Sequence, residues 1–133
     1  MNGSDLRGVN LFERLPDSEL KEIAQHVREV THPAGSKVII RGEYGIGFTI
    51  IIQGEVEIRT QDGRTRTLGP GAYFGEMSLL DQDRRSADVT AKTDLVCAAI
   101  PEWSFERFLA EHPKVSFRLL QNLSRRLREA EAR

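Results

Sequence analysis

The residues best suited to do chemistry here are Gly69-Pro70-Gly71-Ala72-Tyr73-Phe74-Gly75-Glu76-Met77-Ser78-Leu79-Leu80, with Arg84-Arg85-Ser86-Ala87 a few positions on. Residues 75–80 can make one helical turn directly after glycine-rich backbone, and the free N–H groups at such a helix start suit a phosphate oxygen. Arg85 adds a cation, Ser86 a hydroxyl, and Ala87 a side chain small enough to let backbone approach closely. Glu76 is an anion in the middle of this anion site. It fits only a ligand that also offers hydroxyl donors, as a ribose does, while Arg85 takes the phosphate in a charge-assisted bond.

These residues need elements to hold them. Leu20, Ile23, Ala24 and Val27 recur at helical spacing behind Pro16-Asp17-Ser18-Glu19, where proline and acids favour a helix start. From Lys37 to Ile100 the chain turns into short β-branched runs separated by glycines: Lys37 to Ile40, Phe48 to Gln53, Glu55 to Arg59, Arg64 to Leu68, Ala87 to Ala91 and Leu95 to Ile100. That pattern predicts a barrel or sandwich whose closely joined strands pair antiparallel. Strict alternation in Glu55-Val56-Glu57-Ile58-Arg59 turns Val56 and Ile58 inward, and Gln61-Asp62-Gly63-Arg64 reads as a hairpin turn. After Pro101, Trp103, Phe105, Phe108 and Leu109 form a short amphipathic piece. Pro113 then opens a second helix with Leu120, Leu123, Leu127 and Ala130 spaced 3, 4 and 3. The expected fold is α+β: an antiparallel β-barrel of the jelly-roll, or double-stranded β-helix, type with an N-terminal helix and C-terminal helices. The chain reads as one domain over 1–133, with a helical lead-in at about 9–31, the barrel at about 35–100 and the C-terminal helices at about 102–131.

Composition removes several classes. With 133 residues, 39% hydrophobic and 29% charged, the chain suits one globular core and has no apolar run of about eighteen residues for a membrane span. The N-terminus lacks a basic stretch followed by an apolar one, which makes a cytoplasmic address the expectation. Cys97 is the single cysteine and lies in an apolar run, as a buried inert thiol does. His26, His32 and His112 are scattered, and no histidine lies between Lys37 and Ile100, so no metal site is expected and a metal-dependent small-barrel enzyme lacks its commonest donor. A net charge of −1 gives no field to draw nucleic acid. Arg125, Arg126 and Arg128 read as the solvated face of the last helix, and no helix-turn-helix follows them.

Taken together, Phe74-Gly75-Glu76-Met77-Ser78-Leu79-Leu80 and Arg85-Ser86-Ala87 resemble the phosphate-binding cassette of the cyclic nucleotide-binding domain family. That family is shared by bacterial catabolite-type regulators, regulatory subunits of cAMP-dependent protein kinase and cyclic nucleotide-gated channels. Gly42-Glu43, Ile51-Ile52-Gln53-Gly54-Glu55-Val56 and Arg125-Arg126-Leu127 echo it, and the likeness runs from Leu11-Phe12 to about Leu127.

The resemblance implies a non-enzymatic sensor. Its ligand site would comprise Gly75, Glu76, Met77, Arg85, Ser86, Ala87 and Ile58: Glu76 and the Gly75 backbone hold the ribose 2′-hydroxyl, Arg85 pairs with the cyclic phosphate, Ser86 and Ala87 add donors, and the base lies against Ile58. The implied ligand is cAMP, with cGMP the other candidate, because guanine-preferring members often carry threonine where Ser86 stands. The chain departs from the family at Arg84, Ile46, Ala130 and Glu131, the last two standing where catabolite-type regulators place a Thr-Ser pair against adenine. Signalling would run through movement of the C-terminal helices about Pro101 or Pro113, and Leu120, Leu123 and Leu127 would offer a homodimer contact. The other reading is a ligand-free barrel used as a dimerisation or interaction scaffold.

Overall fold

The computed structural model describes residues 1–39, 47–76 and 87–132. A short helix, α1 (Gly3–Leu6), is closed by a capping box in which Asn2 and Asp5 satisfy each other's backbone N–H groups. A 3₁₀ turn over Asn10–Phe12 then buries Leu11 and Phe12. Helix α2 (Asp17–His26) follows Pro16, carries Asp17 and Glu19 at its positive end and His26 at its negative one, and buries Leu20, Ile23 and Ala24.

Eight strands follow among the described residues: β1 (Arg28–His32), β2 (Lys37–Ile39), β3 (Gly47–Gln53), β4 (Val56–Thr60), β5 (Thr65–Leu68), β6 (Tyr73–Phe74), β7 (Ala87–Ala91) and β8 (Leu95–Pro101). They form two antiparallel four-stranded sheets, ordered β1-β8-β3-β6 and β2-β7-β4-β5, which is the jelly-roll arrangement. Strand β1 is one that the sequence pattern does not announce. The hairpin at Asp62-Gly63 forms as expected, with Gly63 at positive φ and the Thr60 N–H donating to the Arg64 carbonyl.

The first sheet is apolar on both faces, and alternation sorts its side chains. Ile51, Leu95 and Cys97 meet Val56, Ile58, Phe74 and Val89 between the sheets. Phe48, Ile50, Ala98 and Ile100 point the other way, into a core with Leu6, Phe12, Leu20, Ile23, Phe105, Phe108, Val115 and Leu119. Burial pushes the Cys97 thiol up to about 11, in keeping with the inert reading. At the β3–β4 turn, Gly54 has φ +90°, and a Cβ there would meet the Asp94 carbonyl oxygen at 2.3 Å.

Two helices complete the chain, α3 (Glu102–Glu111) and α4 (Pro113–Glu131), with His112 between them and Pro113 in the first turn of α4. Phe105 and Phe108 hold α3 to the core, and the Phe105 ring stacks on Phe48 at 5.3 Å. Trp103, expected beside them, is instead exposed. In α4 the apolar residues divide: Val115 and Leu119 are buried and Leu123 packs on the helical core, whereas Phe117, Leu120 and Leu127 are 63%, 62% and 60% exposed. Within the expected stripe, Leu123 therefore lies at the inner edge against the helical core, and Leu120 and Leu127 face solvent.

Candidate functional site

Strand β6 delivers the site. Tyr73 and Phe74 pair with Ile50 and Thr49 of β3, so the chain leaves the first sheet at a fixed point. Gly75 then takes φ +93°, a conformation glycine enters without the steric penalty of a Cβ. This bend turns Glu76 inward, where it is only 3% exposed.

The Glu76 carboxylate has two differently occupied oxygens. Oε1 accepts a hydrogen bond from Arg126 Nη1 of α4 at 2.8 Å. Oε2 is buried and has no hydrogen-bond partner among the described residues. A buried carboxylate oxygen without a donor is costly, because the water it lost has not been replaced. The site thus holds acceptor capacity that its own described side chains do not use.

Helix α4 reaches this point through one face. Val115, Leu119, Asn122 and Arg126 follow one another at intervals of 4, 3 and 4, which aligns them along the helix. Asn122 Nδ2 donates to Tyr73 Oη at 2.9 Å and to Asn10 Oδ1 at 2.8 Å, tying α4 to β6 and to the N-terminal segment. Arg118 adds an ion pair with Glu13 at 3.0 Å. Burial pushes the Tyr73 phenol above its ordinary pKa, the Asn122 bond opposing this and the nearby Glu76 charge adding to it. Arg66 of β5 belongs to the same neighbourhood: desolvation and the like charge of Arg126 lower its pKa, while Glu76 acts in the opposite direction.

The structure therefore corrects the reading of the last helix. Arg125 and Arg128 are exposed as expected, but Arg126 is half-buried and paired with Glu76. Arg126, Asn122, Tyr73 and Arg66 neighbour Glu76, and the motif reading did not single them out. The signal for Arg126 was its place in register with Val115 and Leu119.

Of the expected site residues, Gly75, Glu76, Ala87 and Ile58 are described, and Met77, Arg85 and Ser86 lie outside the described residues. Ala87 opens β7 opposite Thr60, and Ile58 lies on β4 between Arg66 of β5 and Val89 of β7. Ile58 is 5% exposed and packed in the inter-sheet core near Phe74. These strands bring Ile58 and Ala87 to one sheet, with the Gly75-Glu76 bend leaving the other.

Residues 29–112 match the family described as Cyclic nucleotide-binding domain, a span that includes the bend and the whole cassette. The chain belongs to that family. A CRP-like cAMP-activated global transcriptional regulator of Mycobacterium tuberculosis is 32% identical over 92% of this chain and 57% of its own length. The catabolite activator protein of Thermus thermophilus superposes with a TM-score of 0.84 at 33% identity, over 92% of this chain and 60% of that one. The structure of PKAR CBD2 with Sp-2Cl-cAMPS bound gives 0.80 at 26% identity, over 97% and 88%. This cyclic nucleotide-binding domain thus spans little more than half the length of the regulators it matches. Its relatives include transcriptional regulators, cyclic nucleotide-gated channels and a glutaminase, and the ligand-free scaffold reading is not favoured. No helix among the described residues is long and apolar enough to cross a membrane.

Proposed function

We propose that this cyclic nucleotide-binding domain is a non-enzymatic cAMP sensor that reports ligand through α4. The observation that carries the reading is the buried Glu76 Oε2, an acceptor with no donor among the described residues, at a bend where a ribose hydroxyl can supply one. Met77, Arg85, Ser86 and Ala87 complete the cassette: Arg85 pairs with the cyclic phosphate, Ser86 and the backbone at Gly75 and Ala87 add hydrogen bonds, and Ile58 offers an apolar wall for the base. The cAMP-activated regulator and the Sp-2Cl-cAMPS complex among its relatives support adenine over guanine.

A ligand shifts a helix only through different affinity for two arrangements. Here a hydroxyl donating to Glu76 changes the surroundings of the carboxylate that Arg126 grips, and the Tyr73–Asn122 bond carries the same region into α4. Pro101 and the His112-Pro113 junction are the points about which α3 and α4 swing. Phe117, Leu120 and Leu127 form the surface for a second copy, in a molecule that works in the cytoplasm on a small ligand and makes no direct contact with nucleic acid.

Calorimetric titration with cAMP and with cGMP tests the assignment. Saturable binding with cAMP the tighter ligand is expected. Absence of heat and of any melting shift with both nucleotides would return the domain to the scaffold reading.

A further inference from the structure

Where α2 meets the α3–α4 junction, the fold brings together groups that stand far apart in sequence. His112 closes α3 and is 4% exposed, the ring lying against Phe108 at 4.9 Å. Its Nδ1 is 2.8 Å from Glu19 Oε2 of α2. A ring nitrogen of His112 and a carboxylate oxygen each of Glu22 and Glu111 lie within 4.8 Å of one another, at a hollow of about 410 Å³ that Pro113 and Lys114 also line. We propose that Glu22, Glu111 and His112 bind a divalent transition-metal ion of the zinc class, which pins α2 to the α3–α4 junction.

Three features make this more than a group of surface acids. The imidazole is the preferred nitrogen ligand of zinc, and here it is held nearly immobile in the core. Glu19 Oε2 lies 2.8 Å from Nδ1, and the tautomer that places the proton on Nδ1 to meet this carboxylate leaves a lone pair on Nε2 for an ion. A carboxylate behind a histidine is how proteins orient a metal-binding ring. Last, the carboxylates come from two elements. Tetrahedral zinc needs ligand atoms roughly 3.3 Å apart, from bond lengths of about 2 Å, so a closure of at most about 1.5 Å by two exposed glutamates completes the set. Arg107 Nε donates to Glu111 Oε1 at 2.7 Å and leaves Oε2 of that carboxylate for an ion. Arg107 and Lys114 are the opposing cations, and they favour a site of moderate affinity. Water would fill the fourth position.

The test is calorimetric titration of the whole chain with zinc chloride, followed by thermal melts. One ion per chain and a rise in Tm with zinc are expected. Glu22→Gln with Glu111→Gln changes exposed side chains and should leave the circular dichroism spectrum intact while weakening zinc binding at least about tenfold. Glu19→Gln, a positioning change behind the ring, should cost about tenfold to a hundredfold. Zinc uptake unchanged in the double variant would overturn the site. So would failure to saturate at millimolar zinc, or binding of calcium or magnesium in preference to zinc.

Discussion

Arg126 Nη1 and Glu76 Oε1 meet at 2.8 Å, joining the last helix to the bend that ends β6. Glu76 is nearly fully buried, so the pair is a local necessity before it is a signalling device: an ionised carboxylate out of water requires a cation or several donors. Arg126→Leu should therefore destabilise the nucleotide-free domain by about 1–3 kcal/mol, below the usual cost for a fully buried pair because Arg126 itself is partly solvated. Adding Glu76→Gln should recover part of the loss. Urea denaturation of the two single variants and the double one checks this, and strict additivity would show that the pair is not coupled.

The exposed side of the same helix makes a different demand. Leu120→Glu with Leu127→Glu should leave the fold intact and convert a weak dimer to a monomer in sedimentation experiments, since both side chains already face solvent. Leu123→Glu should lower the melting temperature instead, by roughly 2 kcal/mol in stability, because Leu123 packs against the helical core. A wild-type chain that sediments as a monomer at high concentration would remove the dimer.

Alkaline titration gives a third outcome. Burial raises the Cys97 thiol to about 11 in the folded state from an ordinary value near 9, so between these values the native state holds a proton that the unfolded state has lost. The contribution is complete below about pH 9 and falls away as pH rises toward 11, roughly 3 kcal/mol in all. Tyr73, also raised, adds to the loss in the same direction. Melts from pH 8 to 11 should show the decline, and Cys97→Ala should make it shallower, leaving the part due to Tyr73. Native Cys97 should also resist thiol reagents at pH 8.

Which parts were legible in the sequence follows from the range of the signals. Gly75 and Glu76 could be read because a positive-φ glycine and its neighbouring acid are adjacent in the chain. The strands β3, β4 and β8 could be read because burial stamps an apolar pattern on them. Strand β1 escaped because it is an edge strand: Arg28, Glu29 and Thr31 face solvent, and only Val30 and His32 are partly buried. Arg126 escaped because its partner lies 50 positions away, and a helix rich in arginine and leucine allows more than one face to be called apolar. The His112 cluster was hidden for the same reason, its glutamates coming from α2 and from the end of α3.

In the proposed site the phosphate is assigned to Arg85. A cyclic phosphate shut away from water needs a cation, and charge-assisted hydrogen bonds are worth roughly 1.5–3 kcal/mol each. Arg85→Leu is expected to weaken cAMP binding about tenfold to more than a hundredfold with the melt unchanged. Glu76→Gln is expected to lose less, since an amide oxygen still accepts from a hydroxyl. Calorimetry on the folded variants gives the order of the two effects.

The role of the buried Glu76 Oε2 is tested most directly by pairing one change in the protein with one in the ligand. Wild-type domain and Glu76→Gln are each titrated with cAMP and with its 2′-deoxy form. If the ribose 2′-hydroxyl donates to Glu76, its removal should weaken binding to the wild type by roughly tenfold or more, the worth of one hydrogen bond to a charged acceptor. The same removal should matter clearly less in Glu76→Gln. Equal affinity of the wild type for cAMP and 2′-deoxy-cAMP would contradict the assignment of Glu76 to the ribose.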